Sequence, residues 1–201
     1  MKRGRSNGKG RGRKRARRCN GEDLNRQVDG RVVGTNVDTP SGGVRIIFSD
    51  IATELCVLVA EAHAVVGAVA WFTDKEVLRC MAERKGGVRL AITNDTVRKD
   101  VREAYSQLKR ADDTIAGGGG RGAVLRVGER AGKMRALMHH KFLVGIGEKG
   151  EYLWCVTGSY NVTSHSRRSM ENMVVMRDPA VCEAFHNECK AIFASSACRP
   201  L

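Results

Sequence analysis

Two periods of apolar residues alternate along this chain, and the switches between them predict its elements. Val44 to Phe48 is a short apolar run read as a strand. Ser49 or Asp50 then stands where a helix cap belongs, ahead of apolar positions Leu55, Leu58 and Val59 that carry a helix to about His63. Ala64 to Phe72 is apolar and partly β-branched, which suits a central buried strand. Thr73 and Asp74 cap a second helix over 74–85, whose stripe is Val77, Leu78 and Met81, and Gly86-Gly87 ends it. Val88 to Thr93 is a third strand, a charged helix covers about 97–111, and Ala123 to Val127 is a fourth strand. Three further strands are expected near 141–145, 152–157 and 173–177. Asp178-Pro179 opens a C-terminal helix to about Ala194, with proline in its first turn. The pattern predicts an α/β fold: a mixed sheet of about seven strands flanked by helices on both faces.

Residues 1–43 do not share this patterning. They are rich in Gly, Arg, Asn and Asp with little apolar content, and they read as a disordered arm ahead of one folded domain over 44–201. Charge makes that division sharper. The formal net charge is +13, from 35 Lys and Arg against 22 Asp and Glu, and ten of the bases lie within residues 2–18, where there is no acid. The remaining 25 bases nearly balance the 22 acids, so the arm makes the chain basic. A block this dense reads either as a solvated, self-repelling arm or as one directed at polyanions, a nucleic-acid arm or a nuclear or nucleolar address.

Several function classes fall away. The most apolar window, Cys56 to Phe72, is broken by Glu61 and His63 and is shorter than the ~20 residues of a membrane span. The N-terminus has no apolar core of a secretory signal, and its alternating Gly and Arg offer no amphipathic face for organelle import. Seven cysteines without a C-x-x-C pair read as reduced thiols in an intracellular protein, nuclear or cytoplasmic, with a mitochondrial address left open. They show no zinc spacing, and no metal or other cofactor is expected. The glycines 117–120 lack the Gly-Lys-Ser/Thr of a nucleotide-cradling loop and read as a flexible connection.

The candidate chemistry gathers between Met138 and Met176, at the ends of the predicted strands. His139-x-Lys141 precedes one strand, Gly158-Ser159-x-Asn161 follows the next, and Glu171-Asn172 precedes a third. A neutral imidazole is a competent nucleophile, and Lys141 and Asn161 can hold phosphoryl oxygens and developing charge, with Ser159 a further phosphate donor. Glu171 can accept a hydrogen bond from the imidazole and fix its tautomer. His140 reads as a packing residue. His165 is either a groove residue or an ordinary loop histidine, and Arg167 and Arg168 either meet a polyanion or lie in a solvated turn. Ser159 lacks the Gly-x-Ser-x-Gly surroundings of a serine nucleophile.

This ordered set resembles the signature of the phospholipase D superfamily. Ile46-Ile-Phe-Ser-Asp50, Trp71-Phe-Thr-Asp74 and Gly87-Val-Arg-Leu extend the resemblance over residues 44–195. With a single His-x-Lys, the chain is similar to the small one-motif members, which include bacterial endonucleases and mitochondrial cardiolipin hydrolase. The resemblance implies metal-independent phosphodiester hydrolysis through a phosphohistidine, with two motifs meeting across a homodimer interface. His139, Lys141, Asn161 and Glu171 would be the catalytic residues. One position departs from the pattern: the acid that usually follows the His-x-Lys would fall at Ile146, and the nearest acid downstream is Glu148.

Two substrates suit such a site. The basic arm favours nucleic acid, read through its backbone. The arm would also bind anionic phospholipid, although no amphipathic anchor or lipidation motif supports that reading. A third reading keeps the fold as an inactive scaffold. Deleting residues 1–20 is expected to weaken polyanion binding and flatten its salt dependence while leaving turnover of a small phosphodiester intact. Filter binding across a salt series and a chromogenic diester assay measure the two halves of that statement.

Overall fold

A computed structural model describes residues 36–117, 122–128 and 137–201. Residues 1–35 of the expected arm, with Cys19, and the glycines 118–120 lie outside the described residues. Five helices are present among those described: α1 (Ile51–Glu61), α2 (Lys75–Ala82), α3 (Lys99–Ser106), α4 (Asp113–Ala116) and α5 (Pro179–Ala194). They flank nine strands: β1 (Val37–Asp38), β2 (Val44–Ile47), β3 (Ala64–Val69), β4 (Gly87–Thr93), β5 (Val124–Val127), β6 (Lys141–Ile146), β7 (Tyr152–Gly158), β8 (Met173–Met176) and β9 (Cys198–Pro200). They form a single sheet in the order β1-β2-β8-β7-β6-β3-β4-β5-β9. The pairs β3–β4 and β4–β5 are parallel, and every other pair is antiparallel.

The seven expected strands are all present, and two short edge strands add to them. β1 pairs with β2 and brings the start of the sheet to Val37 rather than Val44, while β9 pairs with β5 at the opposite edge. Two- and three-residue strands carry too few positions to show a period, and Pro200 is acceptable in β9 because an edge strand leaves one row of amides unpaired.

The two sheet faces are buried separately. One cluster packs α1, α2 and α3 against Val65, Val69, Leu90 and Leu143, and the other packs α5 against Val66, Ala68, Val144 and Ile146. Alternation along each strand sends neighbouring residues to opposite clusters, so β3 and β6 are apolar on both sides, as a central strand requires. Trp154 is fully buried in β7, and its indole N–H donates to the Leu58 carbonyl at 3.0 Å, tying α1 to the sheet. Its ring lies across Gly145 of β6, where a Cβ would stand 2.2 Å from the indole. Glycine is required there by close approach.

The helix starts vary in how they are closed. Asp74 caps α2 by accepting from the amides of Glu76 and Val77 at 3.0 and 3.3 Å, and Asp178 caps α5 by accepting from Val181 at 3.0 Å. Asp50 occupies the start of α1 as expected, but in a left-handed conformation (φ 53°) with no side-chain cap bond. The six cysteines among the described residues are free thiols. No helix among them is long and apolar enough to cross a membrane.

Candidate active site

Five strand ends meet at one edge of the sheet. The C-terminal ends of β3, β4 and β7 lie beside the N-terminal ends of β6 and β8, through the register pairs Val69–Lys141, Phe142–Thr157 and Gly158–Met173. In a sheet with parallel strands this edge is where side chains are freest to converge on a ligand. The segment leading into β6 is fixed from both sides of His139. The Ala70 amide donates to the His140 carbonyl at 2.8 Å, and the Thr93 hydroxyl donates to the Met138 carbonyl.

The imidazole of His139 is exposed, and two side chains touch it. Trp71 meets it edge to face, with ring centroids 5.5 Å apart and planes at 80°. Lys141 Nζ lies 3.3 Å from its Nδ1, 3.2 Å from its Nε2 and 3.0 Å from its carbonyl oxygen. Nearly equal distances to two nitrogens on either side of Cε1 put the ammonium over the ring face, because in the ring plane it would collide with Cε1. Burial lowers the Lys141 pKa below the ordinary lysine value, against a smaller upward pull from the Glu171 charge. The lysine is therefore a partly dehydrated cation between the imidazole and a carboxylate.

Ser159 and Glu171 form a second unit. The Ser159 hydroxyl donates to Glu171 Oε2 and accepts from the Asn172 amide at 3.1 Å, while the Ser159 amide donates to the Asn172 carbonyl at 3.2 Å. Gly158 allows this clasp, since a Cβ there would sit 2.2 Å from the Asn172 carbonyl oxygen. Asn161 follows two residues later, and its side-chain oxygen is buried without a hydrogen-bond partner. Such an atom is an uncommon feature that a bound ligand or water would resolve.

The structure thus joins His139 to Lys141, and Ser159 to Glu171, with Lys141 within electrostatic reach of Glu171. It does not join Glu171 to His139, as the tautomer-fixing expectation required: the carboxylate hydrogen-bonds Ser159 within the chain. His140 points to the opposite face, packed edge to face on Phe142 and 3.6 Å from Glu188 of α5, so it is a packing residue. His165 is an exposed residue at the start of a 3-10 turn over Ser166–Arg168, and Arg168 is exposed in that turn.

Arg167 has a different place from either alternative considered for it. Its guanidinium grips the buried Asp74 through Nε to Oδ2 and through Nη2 to Oδ1 at 2.9 Å, and it reaches Glu76 at 2.8 Å. The amides of Thr73 and Asp74 also donate to the Val162 carbonyl at 2.7 and 3.0 Å. The loop bearing Asn161 is therefore bolted to the start of α2.

Ile146 explains why the missing acid does not disturb this arrangement. It is fully buried at the far end of β6 from Lys141, facing the α5 cluster. Five steps along the strand separate the two, roughly 17 Å. An acid at 146 would not reach the imidazole, and Glu148 lies exposed in the turn beyond.

Trp71, Thr93 and the Asp74–Arg167 pair are parts of the site that sequence reasoning missed. Trp71 ends an apolar run and so reads as core. The register of β3 against β6 would have placed it opposite His139.

A family model described as cardiolipin synthase, PLD-like domain, matches residues 58–193. No curated protein sequence matches the chain. Among solved structures, the chain is similar to Nuc from Salmonella typhimurium, described as a phospholipase D family member, with a TM-score of 0.52 at 14% identity over 74% of this chain and 92% of that one. NucT from Helicobacter pylori aligns with a TM-score of 0.53 at 14% identity, over 82% of this chain and 96% of its own. Phosphatidylserine synthase from Haemophilus influenzae aligns with a TM-score of 0.55 at 11% identity, over 82% of this chain and 40% of its own. At these identities the likeness to the solved structures is one of fold.

Removing Arg167 would leave Asp74 buried without its cation. Arg167→Ala is expected to lower stability by about 3 kcal/mol. Denaturant unfolding should show a lower midpoint at an unchanged slope. A midpoint equal to that of the unaltered chain would contradict the role assigned to the pair.

Proposed function

The chain belongs to the phospholipase D superfamily, and from that membership we propose that it is a metal-independent phosphodiesterase that uses His139 as nucleophile and nucleic acid as substrate. The observation that carries this reading is the exposed imidazole of His139 beneath a partly dehydrated Lys141, at a strand edge that also holds Ser159, Asn161 and Glu171.

The chemistry needs two imidazoles. A neutral His139 nitrogen attacks phosphorus, and the bond to the leaving oxygen breaks as a second imidazole gives that oxygen a proton. The second imidazole then takes a proton from water, whose oxygen attacks the phosphohistidine and releases His139. Lys141 and Asn161 hold the non-bridging oxygens and the charge that develops on them, with Ser159 as a further donor. Each chain has one His-x-Lys, and His140 faces the other side of the sheet. In the superfamily's one-motif pattern the second imidazole comes from another copy of the chain, and we take it to be His139 of the partner in a homodimer. In that assembly Glu171, poised by Ser159, is the carboxylate available to orient an imidazole.

The basic stretch over residues 2–18 supports nucleic acid, because it adds affinity for a phosphate backbone whatever its sequence. Anionic phospholipid is the second reading. It draws on the description of the matching family as cardiolipin synthase, PLD-like, and on the likeness in fold to a phosphatidylserine synthase.

Hydrolysis in EDTA of single- and double-stranded DNA and RNA, of cardiolipin vesicles and of a bis-aryl phosphodiester tests these readings together. Nucleic acid is expected to be cut, and His139→Ala is expected to lower the rate by ~10³-fold or more. Cleavage of cardiolipin alone would transfer the activity to lipid. Inertness towards every diester would leave the fold as a scaffold.

A further inference from the structure

We propose that Trp71 is the positioning residue for His139: it holds the plane of the imidazole fixed before substrate arrives. This rests on the reading of His139 as nucleophile. The β3–β6 register pairs Ala64 with Ile146 and Val69 with Lys141, and the Ala70 amide continues it by donating to the His140 carbonyl. One step further, Trp71 lies directly opposite His139, as a cross-strand pair. The edge-to-face ring contact is the product of that register.

Three features suit Trp71 to the task. Its neighbours Ala70 and Phe72 are buried, and Phe72 bridges to Val162 while its carbonyl accepts from the Tyr105 hydroxyl, so the backbone under the indole is rigid. The indole N–H faces Asp95 Oδ2 at 3.4 Å, so the donor is turned towards a carboxylate and not towards the imidazole. The indole is also uncharged, and its contact with His139 is not screened by salt.

Lys141 does not do this alone. An ammonium over the ring face, at 3.2 and 3.3 Å from the two nitrogens, treats them alike. A single contact on the face still lets the ring rock about the ammonium. Glu171 does not do it within one chain, because its hydrogen bond goes to Ser159. A wall perpendicular to the imidazole removes that freedom before substrate arrives, which is the kind of orientation that lowers a barrier.

Two readouts test the proposal. A protonated imidazole quenches a touching indole far more than a neutral one does. The other tryptophan, Trp154, is fully buried with its N–H on Leu58, so Trp71 carries any signal that follows His139. Emission is expected to fall in a step on acidification, and to lose that step in both His139→Gln and Trp71→Phe. In EDTA-resistant hydrolysis of a bis-aryl phosphodiester, Trp71→Ala is expected to lower kcat ~10- to 100-fold with KM within about 2-fold. Trp71→Phe, which keeps a ring at the site, should recover most of that loss.

Emission that keeps its acid step in His139→Gln, or shows none in the unaltered protein, would overturn the proposal. So would a Trp71→Ala enzyme with unchanged kcat, or one altered only in KM, which would make the indole a substrate wall. Absence of diesterase activity in the unaltered protein, with the acid step present, would instead overturn the reading of His139 as nucleophile and leave the contact standing.

Discussion

Antiparallel pairing of β3 with β6 at the centre of the sheet is the constraint on which the site depends. Its register sets Val69 against Lys141, and by continuation sets Trp71 against His139. A slip of one residue would turn His139 and Lys141 to the α5 face, where His140 now packs on Phe142. Both central strands are apolar on both sides, so shape fixes this register: a Cβ at Gly67 would stand 2.3 Å from the Phe142 carbonyl oxygen, and one at Gly145 would stand 2.2 Å from the Trp154 ring. The chemistry is held in place by the hydrophobic packing of a strand pair that itself carries only one of the reactive groups.

Two polar clasps extend that precision outwards from the centre. Asp74 and Arg167 fasten the loop after β7 to the start of α2, so Asp74 both caps a helix and anchors the Asn161 loop. Ser159 and Glu171 join the end of β7 to the start of β8. Neither clasp reaches His139. Within one chain the imidazole meets a cation and an aromatic ring, while the carboxylate suited to orient it is engaged elsewhere. In the proposed mechanism the arrangement is half of a two-imidazole site, which a second copy of the chain completes.

Much of this was legible in the sequence, and the rest was hidden for physical reasons. The interior strands and four of the five described helices were readable because each has an apolar period or a capping residue, whereas the one-turn α4 lies where a loop over 112–122 was expected. β1 and β9 were too short to carry one. His139, Lys141, Ser159, Asn161 and Glu171 stood out because reactive types at strand ends form an ordered set. Trp71 did not, because an aromatic residue at the end of an apolar run looks like core until the strand opposite is known. Arg167 looked like an open cation because pairing with Asp74, 93 residues away, has no local signal. Ile146 stood out as a departure from the motif, and its burial at the far end of β6 places it in the core.

Covalent chemistry at His139 is tested most directly by rapid alkaline quench of a reacting mixture, followed by peptide mass spectrometry, since a phosphohistidine survives base. A phosphoramidate on the peptide carrying His139, formed and lost on the time scale of turnover and absent from His139→Ala, is the expected result. Turnover without that adduct, or an adduct on His140 or Ser159 instead, would contradict it.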